Sequence, residues 1–387
     1  MKSKSLSLTA VTFIAALVLA PLSSILSADA LPIIKNTIDK ITSHDFHDSR
    51  AMTQDRQLKT SGIADLNDDD WKVRTLALRD FVKAGQSGIP GLIAALTHKN
   101  PHVRYLAAAA LGIQAEEKAI PALAQLLASA NESTVRSQAV ISLGLIGSKK
   151  ALPALKKALA NDKARDVTHQ CELSIYQIES GKKASADLIQ AYSSLDETTF
   201  DTVKVGQAAP DFALSNSENK TWKLSDHKGK KAVLLIWVFA DWCPVCHGEF
   251  RELMHLREDF QNENIEVVTI EIHDRYRCRV MVGKEVDPKH WFSKKSFKDT
   301  YTKNIWWPHL SDKAGAVAAT YGADPLCFAV HSEYINRPST VIIDKEGIVR
   351  FAYYGTFYGD RPSIKKTYEM MHDKSYQFEH PKRLHLQ

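Results

Sequence analysis

Two sulfurs three residues apart carry the clearest chemistry in this chain, in the stretch Trp242-Cys243-Pro244-Val245-Cys246-His247-Gly248-Glu249. Two intervening residues let a Cys-x-x-Cys pair close a small disulfide ring. At a helix start, unpaired N–H groups and the helix dipole favour a thiolate on the first sulfur. A thiolate is the attacking species in thiol–disulfide exchange. Zinc is the competing use of such a pair, as half of a four-ligand site that needs a second Cys/His pair. Glu249 lies three residues past Cys246. It is either an acid that handles the resolving proton or a solvated Glu favoured by the first turn of a helix.

The flanking sequence supplies the elements such a pair needs. Ala232-Val-Leu-Leu-Ile-Trp-Val-Phe239 reads as a buried strand. Phe250, Leu253, Met254 and Leu256 are apolar at helical spacing, so the motif sits at a strand-to-helix turn. Further strands are expected at Ile265–Ile270 and Ile348–Tyr353, and a last helix over 363–372. The domain opens with Val205-Gly206-Gln-Ala-Ala-Pro210-Asp211-Phe212 and closes on Asn336-Arg337-Pro338-Ser339-Thr340-Val-Ile-Ile343-Asp344-Lys-Glu-Gly347. In that order these stretches resemble the redoxin (AhpC/TSA) superfamily of the thioredoxin fold. The dithiol motif itself is most similar to TlpA/ResA-like exported thiol–disulfide oxidoreductases.

That resemblance implies roles. Cys243 would attack and Cys246 resolve, with the N-terminal sulfur the more exposed. Pro338 would follow a cis bond and face the dithiol, leaving the preceding backbone free to pair with an extended substrate. Trp242 would cover one side of the site, the alternative being a plain packing aromatic. The sequence departs from the family between Glu271 and Glu333, where Arg275–Arg279, Lys289–Phe292, Trp306–His309 and Pro325–Phe328 stand. Cys278 and Cys327 lie in this insert. They form a structural disulfide or relay electrons to the dithiol, and the aromatic and His residues form a lid or substrate rim.

Upstream, Val73-Arg74, Val103-Arg104 and Val135-Arg136 recur, and Val167 follows without its Arg. Ile89-Pro90, Ile120-Pro121 and Leu152-Pro153 form a second series with nearly the same step. Each unit reads as a helix pair, with Pro in the first turn of the second helix and Gly112 and Gly144 as breaks between helices. The pattern is similar to HEAT-like repeats of the short, phycobilisome-lyase type. Such units bury their apolar faces against neighbours and stack into a solenoid. The solenoid would be a packing spacer or a docking platform for proteins. Cys171 falls on an apolar face and reads as a buried free thiol.

The fold class expected is therefore multidomain: an all-α HEAT-like solenoid, then an α/β thioredoxin-like domain. The boundaries are 1–30 signal peptide, 31–61 lead-in, 62–180 repeats, 181–202 polar linker, 203–375 redoxin domain and 376–387 tail. The first 30 residues join a basic start, an apolar run and Ala28-Asp29-Ala30, a small-x-small cleavage signal. Export to an oxidising compartment follows, a bacterial periplasm fitting best. Membrane attachment would require that segment to stay uncleaved. Over 387 residues the 44% apolar and 25% charged fractions are those of an ordinary globular chain, and a scattered net charge of +5 excludes nucleic acid as an evident partner.

Three functions stand. The first is thiol–disulfide exchange with protein clients and a redox partner, needing no cofactor. The second is a peroxiredoxin-type thiol peroxidase. That enzyme wants Thr or Ser three residues before its reactive Cys, where Cys243 stands relative to Cys246, and an Arg, for which Arg337 is the candidate. The third is Cu or Zn carriage by Cys243 and Cys246 with His247, His273 or His309.

Overall fold

A computed structural model of the chain describes residues 62–181, 187–241, 243–285, 304–325, 328–330, 333–355 and 360–378. The signal segment, the whole lead-in, Trp242, Lys289–Phe292 and Cys327 lie outside these. The described residues belong to one compact unit, and none of their helices is long and apolar enough to cross a membrane.

The repeats form antiparallel helix pairs: α1 (Trp71–Ala84) with α2 (Ile89–Ala95), α3 (Pro101–Ile113) with α4 (Ile120–Ser129), and α5 (Ser133–Ile146) with α6 (Leu152–Asn161). A last long helix, α7 (Arg165–Glu179), ends the stack. The recurring prolines sit in the first turn of α2, α4 and α6, where the missing N–H leaves no bond unmade. The recurring Val and Arg have separate tasks. Val103, Val135 and Val167 are buried in the solenoid core. Each Arg reaches back to the loop before its own helix: Arg74 Nη1 donates to the carbonyls of Asp68 and Asp69, Arg104 to His98 and Lys99, Arg136 to Ala130 and Asn131. One guanidinium thus satisfies two loop carbonyls that the turn leaves without partners.

Gly112 and Gly144 do not break helices. They lie inside α3 and α5, where the next repeat's helix presses directly against them. A Cβ on Gly112 would come within 2.7 Å of Ser142 Cα, and one on Gly144 within 2.5 Å of Ser174 Oγ. The two serines return the contact by donating to the carbonyls of Ala108 and Val140 (2.7 and 3.1 Å). The break between helices falls instead at Gly147, left-handed at φ 69° after α5. Gly112→Ala should therefore cost about 1–3 kcal/mol by forcing two backbones apart. Thermal unfolding checks it, with Gly91→Ala, which meets nothing within 4 Å, as the control.

The stretch expected to be a polar linker is docked on both sides. Helix α8 (Asp187–Ser193) puts Leu188 into the solenoid core. Beyond it, Leu195 and Phe200 are buried against Ala314 and Ala319 of the redoxin domain, with Trp71 and Leu76 of α1 at the margin. Phe200 stacks on Trp71 at 5.6 Å, and Arg79 donates to the Leu195 carbonyl. Apolar residues at 188, 195 and 200, hidden among polar ones, make a seam.

The redoxin domain is a seven-stranded sheet in the order β2-β1-β5-β4-β3-β8-β9. The strands are β1 (Ala213–Asn216), β2 (Thr221–Lys223), β3 (Ala232–Trp237), β4 (Ile265–Glu271), β5 (His309–Ser311), β8 (Ser339–Ile343) and β9 (Val349–Tyr354), with a separate hairpin of β6 (Phe328–Val330) and β7 (Glu333–Ile335). β3 runs parallel to β4 and antiparallel to β8. Covered on both faces, it carries a continuous apolar run rather than an alternation. One face packs on α9 (Pro244–His255), α10 (Arg257–Asn262) and the last helix; the other packs on β2 and the segment around Val317.

The insert does not form a rim where it is described. Trp307 is buried edge-on to Phe250 of α9, and Trp306 Nε1 donates to the Leu253 carbonyl. His309 begins β5 and is fully buried. These residues lie inside because the insert contributes β5, a strand buried at every position between β1 and β4. Helix α11 (Arg275–Met281) and the short α12 (Ala316–Thr320) complete the insert. Tyr276 of α11 stacks on Tyr176 of α7 at 6.4 Å, a second seam between solenoid and redoxin domain.

Candidate active site

β3 ends at Trp237, and the chain runs buried through Val238, Phe239, Ala240 and Asp241 to Cys243. Cys243 is the N-cap of α9: its sulfur accepts the Cys246 N–H at 3.4 Å, and Pro244 starts the helix. The turn is pinned at its base. Arg277 of α11 grips both carboxylate oxygens of Asp241, and His247 Nε2 meets the Asp241 carbonyl at 2.7 Å. From the β8 side, Asn336 Nδ2 donates to the carbonyl of Val238 (3.3 Å) and to that of Arg337 (3.1 Å).

Both sulfurs are buried, Cys243 at 1% exposure and Cys246 at 0%, so the first is not the exposed one that the family resemblance implied. Both are free thiols. Nor does the charge of the reduced pair belong on Cys243. Burial works against a charge on Cys246, but its sulfur is the acceptor for the Cys243 thiol, the Arg361 guanidinium (Nη2, 3.5 Å) and the backbone N–H of Phe239 (3.2 Å) and Ala240. Together these bring Cys246 down to about 6. Cys243 moves the other way, because its hydrogen bond to Cys246 and its own burial hold the proton on. The helix-start argument is outweighed: one N–H reaches Cys243, whereas a full positive charge reaches Cys246.

Arg361 is the functional residue the sequence reading missed. It follows β9, just before the last helix, α13 (Ile364–His372), and is buried. Nη1 donates to the carbonyl of Trp237 at 2.8 Å; Nη2 serves both Cys246 and Glu249, the latter at 2.6 Å. The available signal was Arg361-Pro362-Ser363: a helix start, with Ser363 capping Lys366, that fixes the residue before it. Nothing in the sequence said that this point returns to the dithiol.

Glu249 is a buried acid, not a solvated first-turn Glu. Burial lifts its carboxyl to about 8, against the pull of Arg361 and with the help of the Cys246 charge. Cys246 and Glu249 share one guanidinium, so deprotonating either disfavours deprotonating the other. The set Cys243, Cys246 and Glu249 can therefore pass a proton among themselves. If Cys243 attacks, its proton can move along the existing hydrogen bond to Cys246; Glu249, still protonated at neutral pH, can give its own proton to a leaving sulfur and then take the one on Cys246.

Pro338 is buried, but the peptide bond before it is trans, since the described residues hold no cis bond. Trans is the ordinary preference before Pro, by about 0.5–1 kcal/mol. The carbonyl preceding Pro338 is occupied by Ser339 Oγ as well as Asn336, and the Pro338 carbonyl accepts from Gly355. Arg337 is not the cation on the sulfur; Arg361 is. Cys278 is a free, buried thiol, and Cys327, its expected partner, lies outside the described residues. The Cys278 sulfur lies 3.7 Å from the His273 carbonyl. Cys171 is buried as expected. Of the histidines suggested as partners of the dithiol, His247 turns to the Asp241 carbonyl, and His273 and His309 gather elsewhere. Among the described residues, the donor groups close enough to share an ion are Glu271, Cys278 and His309, and Asp241, Glu271 and His273.

Residues 205–352 match the AhpC/TSA family, residues 63–144 HEAT repeats, and residues 135–161 the PBS lyase HEAT-like repeat. Similar proteins include alkyl hydroperoxide reductase E of Mycobacterium tuberculosis, 29% identical over 39% of this chain and 84% of that protein. Another is the thiol-disulfide oxidoreductase ResA of Geobacillus thermodenitrificans, 27% identical over 40% of this chain and 71% of that protein. Among solved structures, reduced Plasmodium vivax 2-Cys peroxiredoxin is 21% identical, covering 44% of this chain and 84% of its own, with a TM-score of 0.35.

Proposed function

We propose, for a chain that carries an AhpC/TSA redoxin domain behind HEAT repeats, that it is an exported thiol–disulfide oxidoreductase working through Cys243 and Cys246. The observation that carries this reading is the hydrogen-bonded pair itself: two free thiols at a helix start, one holding the proton and the other the charge. Cys243 attacks a client disulfide and gives its proton to Cys246; the client's first sulfur leaves as thiol with the proton of Glu249, which is thereby left as carboxylate. Cys246, its proton passed to Glu249, then attacks Cys243, releasing the second client thiol and leaving a Cys243–Cys246 disulfide. A redox partner restores the dithiol. The signal pattern of residues 1–30 and the similarity to ResA support export, and the repeats offer the surface on which protein clients dock.

A thiol peroxidase is the second reading, favoured by the position of the charge. Cys246, beside Arg361, is the low-pKa sulfur, and a site this enclosed admits a peroxide more readily than a protein. Cys246 thiolate would break the O–O bond to give a sulfenic acid and an alcohol, and Cys243 would displace water from it to form the same disulfide. One comparison separates the two. The reduced protein is mixed with a small disulfide or with hydrogen peroxide, and the rate of dithiol loss is followed in each. Exchange predicts faster oxidation by the disulfide, with no detectable sulfenic acid. Rapid peroxide consumption with a trappable sulfenic acid on Cys246 would move the assignment to peroxidase. Failure of either oxidant to link Cys243 to Cys246 would end both readings.

A further inference from the structure

Beneath the dithiol loop lies a second cluster that the exchange chemistry does not use. Glu271 at the end of β4, His309 at the start of β5 and Cys278 on α11 are all buried, and one donor atom from each lies within 4.8 Å of the other two. We propose that Glu271, Cys278 and His309 form a zinc-binding site, with His273 against the other carboxylate oxygen of Glu271.

The donor set selects the metal. One thiolate, one imidazole and one carboxylate is a mixed S/N/O set of the kind that Zn²⁺ accepts. A hard cation such as Mg²⁺ would want oxygen alone, and Cu(I) would want more sulfur. The orientation of His309 is fixed from behind. Its Nδ1 meets Thr269 Oγ1 at 2.8 Å, and Thr269 in turn accepts from Trp307 Nε1 at 3.0 Å. That outer contact aims Nε2 at Glu271 Oε2, 2.9 Å away. On the other side His273 Nδ1 meets Glu271 Oε1 at 2.6 Å, so both oxygens of the acid face an imidazole. His273 also lines a groove between the solenoid and the redoxin domain, along with Asp274, Arg277 and residues of α1, α3, α5 and α8. This groove is the entry path a buried site requires. Binding Zn²⁺ displaces the Cys278 proton to solvent, and the ion replaces the hydrogen bonds by which the histidines now neutralise Glu271.

Such an ion would tie β4, β5 and α11 together at one point. α11 carries Arg277, which holds Asp241 two residues before Cys243. The site is thus a structural pin under the redox loop, and it stands whether the dithiol exchanges disulfides or reduces peroxides.

The test uses the full chain with Cys243 and Cys246 both replaced by Ser, which removes the competing dithiol from metal binding. Loaded with Zn²⁺ and desalted, this variant should retain one equivalent of zinc. Zinc X-ray absorption should show one sulfur at about 2.3 Å and the remaining N/O ligands at about 2.0–2.2 Å. Co²⁺ in its place should give a thiolate-to-cobalt charge-transfer band that disappears on adding Cys278→Ser. No retained zinc, an all-N/O environment, a band that survives Cys278→Ser, or metal held by the wild type but not by the double variant would each overturn the site. The absorption measurement decides the matter even if Cys278→Ser does not fold.

Discussion

Arg361→Leu should move the pH midpoint for thiolate formation on Cys246 from about 6 towards the ordinary thiol value of about 8.5. The sign follows from which form the guanidinium stabilises. Its positive charge favours the thiolate, so above the midpoint Cys246 is charged and below it the proton returns. Removing Arg361 therefore costs reactivity chiefly between pH 6 and 8 and little above pH 9, where both proteins are deprotonated. At pH 7 the thiolate fraction should fall by roughly severalfold, since the Cys243 donor and the two backbone N–H groups remain. The rate loss will be smaller, because a more basic thiolate is also more nucleophilic. The thiolate absorbance titration is thus the cleaner readout, and an unchanged midpoint would remove Arg361 from the site. The same variant removes one donor from the Trp237 carbonyl and the cation beside Glu249, which should cost about 1–3 kcal/mol in urea unfolding. Arg361→Lys separates the effects: it keeps a charge near Cys246 and should recover part of the pH shift. It cannot span Trp237, Cys246 and Glu249 with one planar fork, so stability should return less fully.

The largest effects on turnover belong to the sulfurs, and they should differ in kind. Cys243→Ser and Cys246→Ser each remove a partner of the disulfide, so catalytic reduction of a small disulfide should fall to the uncatalysed background in both; Cys171→Ser should leave it intact. Single-turnover alkylation distinguishes them. Cys243→Ser retains Arg361 and the Phe239 and Ala240 N–H groups around Cys246, so one thiol should still titrate below the ordinary thiol value, though higher than in the intact pair because the Cys243 S–H donor is gone. Cys246→Ser relieves Cys243 of the Cys246 charge that held its proton on but leaves it buried, with one N–H, so its reactivity should still rise only above neutral pH. That variant is also the one to trap a client on Cys243, slowly. Equal alkylation profiles for the two variants would mean that the surroundings of Cys246 do not set the charge.

What the sequence made legible depended on how local each signal was. The dithiol, its strand and its helix are contiguous, and the opening and closing stretches of the redoxin domain appear in order, so fold class and candidate site could be read together. The Val-Arg and Ile-Pro series were legible as repeats, though not the use of each Arg as a clamp on its preceding loop. Arg361, Asn336 and the Asp241–Arg277 pair were not legible, because each meets the dithiol loop from a distant part of the chain. The lid expected from Trp306, Trp307 and His309 failed for a related reason: three aromatic residues in an insert look the same whether they cover a site or extend a sheet. The segment 181–202 was misread because composition averages over spacing, and three apolar anchors among polar residues still look like a tether.

Those anchors have a consequence for how the solenoid comes apart. A stack of repeats coupled only to neighbours loses its terminal units first, since each end lacks a partner on one side. Here Phe200, arriving after the last repeat, stacks on Trp71 in the first helix, and the Leu195 carbonyl receives Arg79. The chain thus ties the beginning of the array to a segment that is itself buried against the redoxin domain. The array is closed like a clasped band, with no free first unit to peel away. Fraying of α1 requires undoing the clasp, so loss of the solenoid and release of the redoxin domain become one cooperative event.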